Sequence, residues 1–110
     1  SPNAYVSGKS NIEEGTIIMH NAIVNTNAKI GKNCIINSRC LIEHDVKVEK
    51  NCHISTGVIL NGEVRIGKNT FIGSGTILKE KVSVGKNCVV SAGCTILRDI
   101  KDNCFYKNEK

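Results

Sequence analysis

The residues best suited to chemistry in this sequence are histidines with acidic neighbours. Glu43-His44-Asp45 places an imidazole between two carboxyl groups, and His53 follows nine residues after His44. An imidazole titrates near neutral pH and suits a general base, and an adjacent carboxylate can orient the ring and raise its basicity. The simpler interpretation of His44 is a solvated residue at a turn, and that of His53 is an interfacial hydrogen bond. We interpret His20 as a surface residue.

The cysteines are spaced for packing rather than for a metal site or a disulfide. The chain has six cysteines in 110 residues. A Cys-x-x-Cys pair is the usual sign of zinc or redox chemistry, and this sequence has none. Most of their separations are multiples of six, at Cys34, Cys40, Cys52, Cys88, Cys94 and Cys104. We therefore expect no metal, and expect the first five to fill the core as small apolar residues.

A six-residue repeat runs through most of the chain. Counting in sixes from Val6 to Ile96, every position is aliphatic. A mostly small residue stands four positions after each of these, which is where five of the cysteines fall. Fixed periods are the signature of solenoids, whose units bury their apolar side chains against one another. An ordinary aromatic core is unlikely at 4% aromatic residues and no tryptophan.

A second period, of eighteen residues, lies over the first. The segment Ile-Gly-Lys-Asn-Cys at 30–34 recurs with few changes at 48–52, 66–70 and 84–88. Glycine and asparagine tolerate the left-handed backbone conformation that a tight corner requires. Eighteen residues therefore predict one triangular coil of three short strands and three corners. A β-sandwich would not keep a strict six-residue frame over so many units.

The frame also predicts which side chains face outward. One face of the prism is polar and should meet water, with Asn11, Lys29, Lys47, Arg65, Ser83 and Lys101. The other two faces are largely apolar, with Ile17, Ile35, His53, Phe71 and Val89 on one and Ile23, Leu41, Ile59, Ile77 and Thr95 on the other. Monomers rarely expose apolar patches of this size, so the pattern predicts a cyclic homotrimer in which each subunit contacts two neighbours.

These repeats resemble those of the hexapeptide-repeat acyltransferases, and the resemblance covers residues 6–101 without an insertion. It implies an all-β fold, a left-handed parallel β-helix of about five triangular coils, with the hand taken from the resemblance alone. We expect residues 1–101 to form the β-helix acyltransferase domain. Residues 102–110 are expected to form a C-terminal tail that caps one end or frays.

One part of the repeat is similar to a particular branch of that family. The stretch 37–46, Asn-Ser-Arg-Cys-Leu-Ile-Glu-His-Asp-Val, with His53-Ile-Ser and Gly62 after it, resembles the UDP-amino-sugar N-acetyltransferases of the bacillosamine pathway and the sialic-acid O-acetyltransferases. The shared motif is an aliphatic residue, a variable residue, His and an acidic residue, with a second His nine positions later. The resemblance implies that His44 is the general base and Asp45 its acidic partner.

The same resemblance implies the remaining site residues. His53 would contact acetyl-CoA from across the subunit interface. Gly62, Ser74 and Gly75 would line the acetyl-CoA groove, largely through their backbone, and Asn37 would lie near the acceptor. No metal takes part.

The activity that the resemblance implies is direct transfer of acetyl from acetyl-CoA to an amine or hydroxyl of a nucleotide-activated amino sugar or sialic acid. Two alternatives stay open: a non-catalytic trimeric β-helix scaffold, and a stand-alone hexapeptide acetyltransferase with another small acceptor. A zinc enzyme of the γ-carbonic-anhydrase type needs three histidine ligands, two of them closely spaced. The three histidines of this chain do not have that spacing.

Charge and hydropathy limit the partners. The net charge of +5 suits anionic ligands, but no aromatic stacking platform accompanies the lysines, so we expect a small-molecule sugar acceptor and no nucleic acid. No apolar run approaches the ~20 residues of a membrane span, and no signal peptide opens the sequence. We therefore expect no membrane contact and a cytoplasmic location.

Overall fold

The computed structural model describes residues 3–108, and its regular structure there consists of seventeen two-residue strands. Strands in the same sheet pair in parallel. Sheet A contains β1 (Tyr5–Val6), β4 (Ile23–Val24), β7 (Leu41–Ile42), β10 (Ile59–Leu60), β13 (Ile77–Leu78) and β16 (Thr95–Ile96). Sheet B contains β2 (Asn11–Ile12), β5 (Lys29–Ile30), β8 (Lys47–Val48), β11 (Arg65–Ile66) and β14 (Ser83–Val84). Sheet C contains β3 (Ile17–Ile18), β6 (Ile35–Ile36), β9 (His53–Ile54), β12 (Phe71–Ile72), β15 (Val89–Val90) and β17 (Phe105–Tyr106).

The chain visits sheets A, B and C in turn and returns to each sheet after eighteen residues, as in the pairing of Ile23 with Leu41 and of Leu41 with Ile59. The result is a three-sided rod of 38 × 21 × 21 Å. The prediction of an all-β parallel β-helix is confirmed, and so is the assignment of outward residues to three faces, Lys101 excepted. We call the edge between sheets A and B the AB corner, that between B and C the BC corner, and that between C and A the CA corner.

The prediction of about five coils was wrong, because sheets A and C each stack six strands and the rod has about six coils. The extra strand is β17, which pairs with β15 although Phe105 is only sixteen residues from its partner Val89. The six-residue frame would have placed Asp102 inside the rod. Instead the inward position comes two residues earlier in the chain. Burying an unpaired carboxylate is costly, and Ile100 takes the inward position opposite Val84 instead.

This shift also changes the last residue of the polar face. The frame placed Lys101 outward beside Ser83, but Asp99 lies there, and its carboxylate accepts a hydrogen bond from the Ser83 N–H at 2.9 Å. The expected C-terminal tail, 102–110, contributes β17 to sheet C. Residues 109–110 of that tail lie outside the described residues.

The core is a single column of inward side chains. The aliphatic residue of each hexapeptide from Val24 to Ile96 is buried, and so are the small residues between them. The prediction for the cysteines is confirmed, since Cys34, Cys40, Cys52, Cys88 and Cys94 are buried while Cys104 is half-buried. The N-terminal coil is less covered, and Val6 is 39% exposed.

The corners repeat as strictly as the strands. A residue with positive φ occurs at every sixth position from 15 to 93, so each corner between them has one. Most are asparagine or glycine, which adopt this conformation at little cost, as the sequence predicted. The exceptions are Arg39, Asp45, Glu63 and Lys81. Because arginine, glutamate and lysine rarely adopt positive φ, the stacking of the coils must determine the backbone at Arg39, Glu63 and Lys81.

Threonines at the small inward position connect one coil to the next. The Thr70 hydroxyl donates to the Gly85 carbonyl at 2.8 Å and accepts from the Cys88 N–H at 3.2 Å. Thr76 makes the same two bonds, with the carbonyl of Ser91 and the N–H of Cys94. Each buried threonine therefore satisfies two backbone groups of the following coil.

We predict that Thr70→Val lowers the free energy of unfolding by ~1–3 kcal/mol, because it leaves buried backbone groups without their partner. Valine fits this position sterically, since Val64 and Val82 occupy it in neighbouring strands. Urea unfolding followed by circular dichroism measures the change, and Thr70→Ser, which retains the hydroxyl, is the control. Equal stability of Thr70→Val and wild type would contradict the assignment.

Candidate active site

His44 and Asp45 lie together at the AB corner, between β7 and β8. Asp45 occupies the left-handed position of that corner, with a φ of 59°. Aspartate is one of the few side chains that tolerate this conformation. Its carboxylate Oδ2 lies 3.0 Å from Nδ1 of His44, and both side chains are about half exposed, at 50% and 55%. The structure therefore brings together the base and the acidic partner that the sequence predicted.

The contact with Asp45 determines which nitrogen of His44 can act as a base. A carboxylate only accepts hydrogen bonds, so Nδ1 must carry the proton that it donates. The lone pair of the neutral ring is then on Nε2. This hydrogen bond raises the pKa of His44 above 6.5, and the charges of Asp45, Glu63 and Glu43 act in the same direction against a smaller desolvation effect. His44 is thus a stronger base than a free imidazole.

Gly62 provides the space into which His44 points. A Cβ at Gly62 would lie 2.5 Å from Nε2 of His44, so no larger residue fits there without displacing the ring. The ring borders an open cleft of about 400 Å³ that Glu43, Asn61, Glu63 and Glu80 also line. Glu43 is held in place by the side-chain amide of Asn25, at 2.8 Å. The basic nitrogen therefore faces a cleft with acidic walls.

The other predicted site residues lie at the CA corner and on the adjoining face of sheet C. His53 is outward on β9, half-buried, with its ring edge-on to Phe71 at 5.3 Å. Its Nε2 is 3.3 Å from the side-chain nitrogen of Asn37. One coil further along the corner, the Ser74 hydroxyl is 2.8 Å from that of Ser55.

A ridge without side chains also runs along the CA corner. Gly57, Gly75 and Gly93 take the left-handed position in three successive coils, and a Cβ on any of them would meet nothing within 4 Å. The equivalent positions of the AB corner carry Asp45, Glu63 and Lys81, so the backbone alone does not demand glycine. Glycine in such places allows close approach of another molecule to the backbone. We call Gly57, Gly75 and Gly93 the glycine ridge.

The structure does not bring all the predicted residues into one place within a single chain. His44, Asp45 and Gly62 lie at the AB corner, whereas Asn37, Ser74 and Gly75 lie at the CA corner, at opposite edges of sheet A. Gly57, Gly93, Ser55 and Glu80 were missed at the sequence level. The eighteen-residue period could have found Gly57 and Gly93 from Gly75, and Glu80 from Gly62.

Within 3–108 there is no group of three or more His, Cys, Asp and Glu residues placed to hold a metal ion. Nor does this part of the chain form a helix of the length and apolarity needed to cross a membrane. His20 is exposed at the CA corner, where its Nδ1 lies 3.3 Å from the side-chain nitrogen of Asn3.

The solved structures similar to this chain include two acetyltransferases. One is a mutant of perosamine N-acetyltransferase from Caulobacter crescentus in complex with CoA and GDP-perosamine. Its sequence is 29% identical to this chain and its TM-score is 0.96, and the match covers 97% of this chain and 51% of the neighbour's chain. The other is the acetyltransferase domain of PglB from Neisseria gonorrhoeae in complex with acetyl coenzyme A. Its sequence is 31% identical to this chain and its TM-score is 0.96, and the match covers 97% of this chain and 52% of the neighbour's chain. This chain thus spans about half the length of these structures.

A more distant structure shares the fold alone. WeeI from Acinetobacter baumannii is 20% identical with a TM-score of 0.74, over 94% of this chain and 54% of its own. A comparison with curated proteins found no match.

The fold and the repeat define a hexapeptide-repeat protein, and the resemblance to the amino-sugar N-acetyltransferases is confirmed by these structures. The chain belongs to the family described as the GMPPB C-terminal domain, whose model matches residues 1–108.

The hydrogen bond between Asp45 and His44 leads to a prediction about titration. In Asp45→Asn the pKa of His44 should fall toward its ordinary value, because an amide stabilises the imidazolium less than a carboxylate does. Asparagine fits the backbone, since Asn27 has nearly the same φ one coil earlier. The measurement is an NMR titration of the His44 ring.

The control for this titration is Glu49→Gln, which removes the same charge at the BC corner. It should leave the His44 midpoint unchanged. An equal decrease in both variants would indicate a general charge effect and contradict the specific hydrogen bond.

Proposed function

We propose that the protein is an acetyl-CoA-dependent acetyltransferase whose acceptor is the amine of a nucleotide-activated amino sugar. The observation that carries the proposal is the His44–Asp45 pair, with Nε2 of His44 free above Gly62 in an open cleft. The similarity to acetyltransferases crystallised with CoA, acetyl-CoA and GDP-perosamine supports the same reaction class.

The reaction needs one base and no covalent enzyme intermediate. His44 accepts the proton of the acceptor amine at Nε2 while the nitrogen attacks the thioester carbonyl carbon. The new C–N bond forms, the C–S bond breaks, and the imidazolium of His44 gives its proton to the released thiolate, so that His44 is neutral again. Asp45 stabilises the imidazolium through Nδ1. The buried cysteines are not candidates for a nucleophile, since five face the core.

The acidic cleft supports an amine rather than a hydroxyl as the acceptor. Glu43, Glu63 and Glu80 line it together with His44. Clefts lined by one sign of charge concentrate ligands of the opposite sign, and an aliphatic amine arrives largely as a cation. This cation loses one proton to solvent before it attacks, and His44 takes the second proton during the attack. On the other side of Asp45, a cleft of about 640 Å³ is lined by Lys29, Lys47 and Arg65, among others. These cations suit the phosphates of a nucleotide-linked sugar.

The donor is assigned to the CA corner. The glycine ridge leaves the backbone accessible to a long, flexible chain such as that of CoA, and the paired hydroxyls of Ser55 and Ser74 lie beside it. Because base and ridge lie at opposite edges of sheet A, one chain cannot bring donor and acceptor together. We therefore propose a homotrimer in which the AB corner of one subunit meets the CA corner of its neighbour.

The two apolar faces support this assembly. Outward residues of sheets A and C include Ile23, Ile77, Phe71 and Val89, which are 37–42% exposed in the isolated chain. Sheet B carries Lys29, Lys47 and Arg65 in register and suits water instead. A three-sided rod with two apolar faces is closed by a threefold arrangement.

We predict that His44→Ala lowers kcat for acetyl transfer by ~10²–10⁴, the usual contribution of a general base. The assay follows thioester cleavage of acetyl-CoA over a panel of nucleotide-linked amino sugars. Because His44 must be neutral to act and its pKa is raised, wild-type activity should be lost as the pH falls through a value above 6.5. If no acceptor is acetylated and CoA does not bind, a non-catalytic scaffold is the better description.

The shared site leads to a complementation experiment. In Gly75→Asn a side chain projects from the glycine ridge without changing the backbone, since asparagine adopts the same conformation at Asn69. This variant should lose acetyl-CoA binding, and His44→Ala should lose the base. Random mixed trimers of the two have about one quarter of their seams intact, so mixing should restore about that share of the wild-type activity.

The control for the glycine ridge is Asn69→Gly, which exchanges the same two residue types at the BC corner and should leave acetyl-CoA binding unchanged. Light scattering on wild type should give about three times the monomer mass of 11.9 kDa. A monomer, or mixed samples no more active than their parents, would contradict the shared site.

A further inference from the structure

The amide of Asn61, which precedes Gly62 at the AB corner and lines the same cleft as His44, has a fixed orientation. Its side-chain nitrogen donates to the Leu78 carbonyl at 2.8 Å. A carbonyl only accepts hydrogen bonds, so the amide oxygen cannot take that place. Oδ1 of Asn61 is the remaining polar atom of the amide, and within residues 3–108 it has no hydrogen-bond partner.

This side-chain contact shares a carbonyl that stacking elsewhere reserves for the backbone. The backbone N–H of Asn61 lies 3.3 Å from the Leu78 carbonyl oxygen. The equivalent backbone bonds of Asn25 and Glu43, in the two preceding coils, measure 2.9 Å. The following coil therefore holds the Asn61 amide in one orientation.

Glu43 stands one coil before Asn61 in the same column and is also oriented by a neighbour. Its Oε1 accepts from the Asn25 side chain at 2.8 Å, and in the described part of the chain Oε2 has no partner. Glu43 is half-buried, whereas Glu63 and Glu80, which line the same cleft, are exposed. Glu43 is therefore the carboxylate of this cleft whose position a side-chain contact fixes.

We propose that Asn61 and Glu43 determine specificity for a primary amine by accepting hydrogen bonds from the acceptor nitrogen in front of His44. The inference rests on the proposed acetyl transfer and deepens it. A primary ammonium group has three N–H donors, and the cleft offers three acceptors of different kinds: Nε2 of His44, Oε2 of Glu43 and Oδ1 of Asn61. Asn25 is then a positioning residue that acts through Glu43.

The same contacts suit the neutral amine that reacts. After one proton is lost to solvent, two N–H groups remain. One donates to His44, which takes that proton during the attack, and the other donates to Asn61, so that the lone pair is free for the thioester carbon. A hydroxyl has a single hydrogen, which His44 would take, and Asn61 would be left without a donor. A site that hydrogen-bonds a substrate group discriminates against the analogue that lacks it.

A titration of His44 tests whether the side chain of Asn61 faces the cleft. The charged groups that act on the ring or border it are all acidic: Asp45, Glu63, Glu43 and Glu80. Asn61→Asp adds a further carboxylate, so the pKa of His44 should rise above its wild-type value, as measured by NMR. Asn11→Asp adds the same charge on sheet B, two coils away, and should leave the midpoint unchanged. Equal midpoints in Asn61→Asp and wild type would overturn the placement.

Specificity is tested by calorimetric binding in the presence of CoA, which has no acetyl group to transfer. The probes are two nucleotide-linked sugars that differ only by an amine or a hydroxyl at one carbon. Wild type should prefer the amine, and Asn61→Ala should reduce this preference by about tenfold, the usual contribution of one hydrogen bond. Glu43→Gln, which can still accept from Asn25, should also reduce it. An unchanged preference in both variants would contradict the proposal.

Activity separates the inference from the proposed function. With an amine acceptor, Asn61→Ala should lower kcat/KM by ~10-fold to 10²-fold, while KM for acetyl-CoA stays unchanged because the donor is assigned to the CA corner. Asn11→Ala should retain the wild-type rate. If wild type acetylates no amine, the proposed function fails. If it does, and Asn61→Ala and Glu43→Gln are equally active, the inference is wrong although the proposed function stands.

Discussion

The stacking of one coil on the next, in register and through backbone hydrogen bonds, is the constraint on which the structure depends. Strands of two residues have no stability alone and gain it only as part of a stack. Coils ~4.8 Å apart bring their backbones into close contact at particular corner positions. At Gly67, a Cβ would lie 2.6 Å from the backbone carbonyl carbon of Gly85. Inward and close-approach positions are therefore restricted, and variation is confined to outward faces and corners.

This division explains what the sequence could predict. The inward column obeys a strict period, so the fold, the buried cysteines and the outward faces follow from counting residues. The frame failed after Ile96, where continued counting would have buried Asp102, because the sequence period carries no information on how a solenoid ends. The contact between Asn37 and His53 was missed for a related reason: it joins residues sixteen apart across an edge and depends on side-chain rotamers, which no period describes.

The AB corner shows how stacking can serve chemistry. Aspartate in the left-handed conformation is costly unless the surrounding structure imposes it. Here the coils before and after, with Asn27 and Glu63 in the same conformation, impose it on Asp45. The Asp45 N–H is bonded to the Thr26 carbonyl at 3.1 Å and the His44 carbonyl accepts from the Glu63 N–H at 3.0 Å. The pair is thus held from both sides by backbone bonds, which keeps the Asp45 carboxylate beside Nδ1 of His44 without a dedicated loop.

A rigid rod with chemistry only on its edges cannot close around a substrate by bending. His44 and the glycine ridge lie at opposite edges of sheet A in one chain, so the acetyl transfer that we propose needs a second rod to supply the missing edge. In a symmetric trimer every seam has the same composition, so one sequence specifies all three seams. The acceptor cleft lies at the AB corner and the glycine ridge at the CA corner, so they are built from different residues. Under the proposed function, substitutions at Glu63 or Glu80 would therefore change the acceptor cleft without altering the glycine ridge.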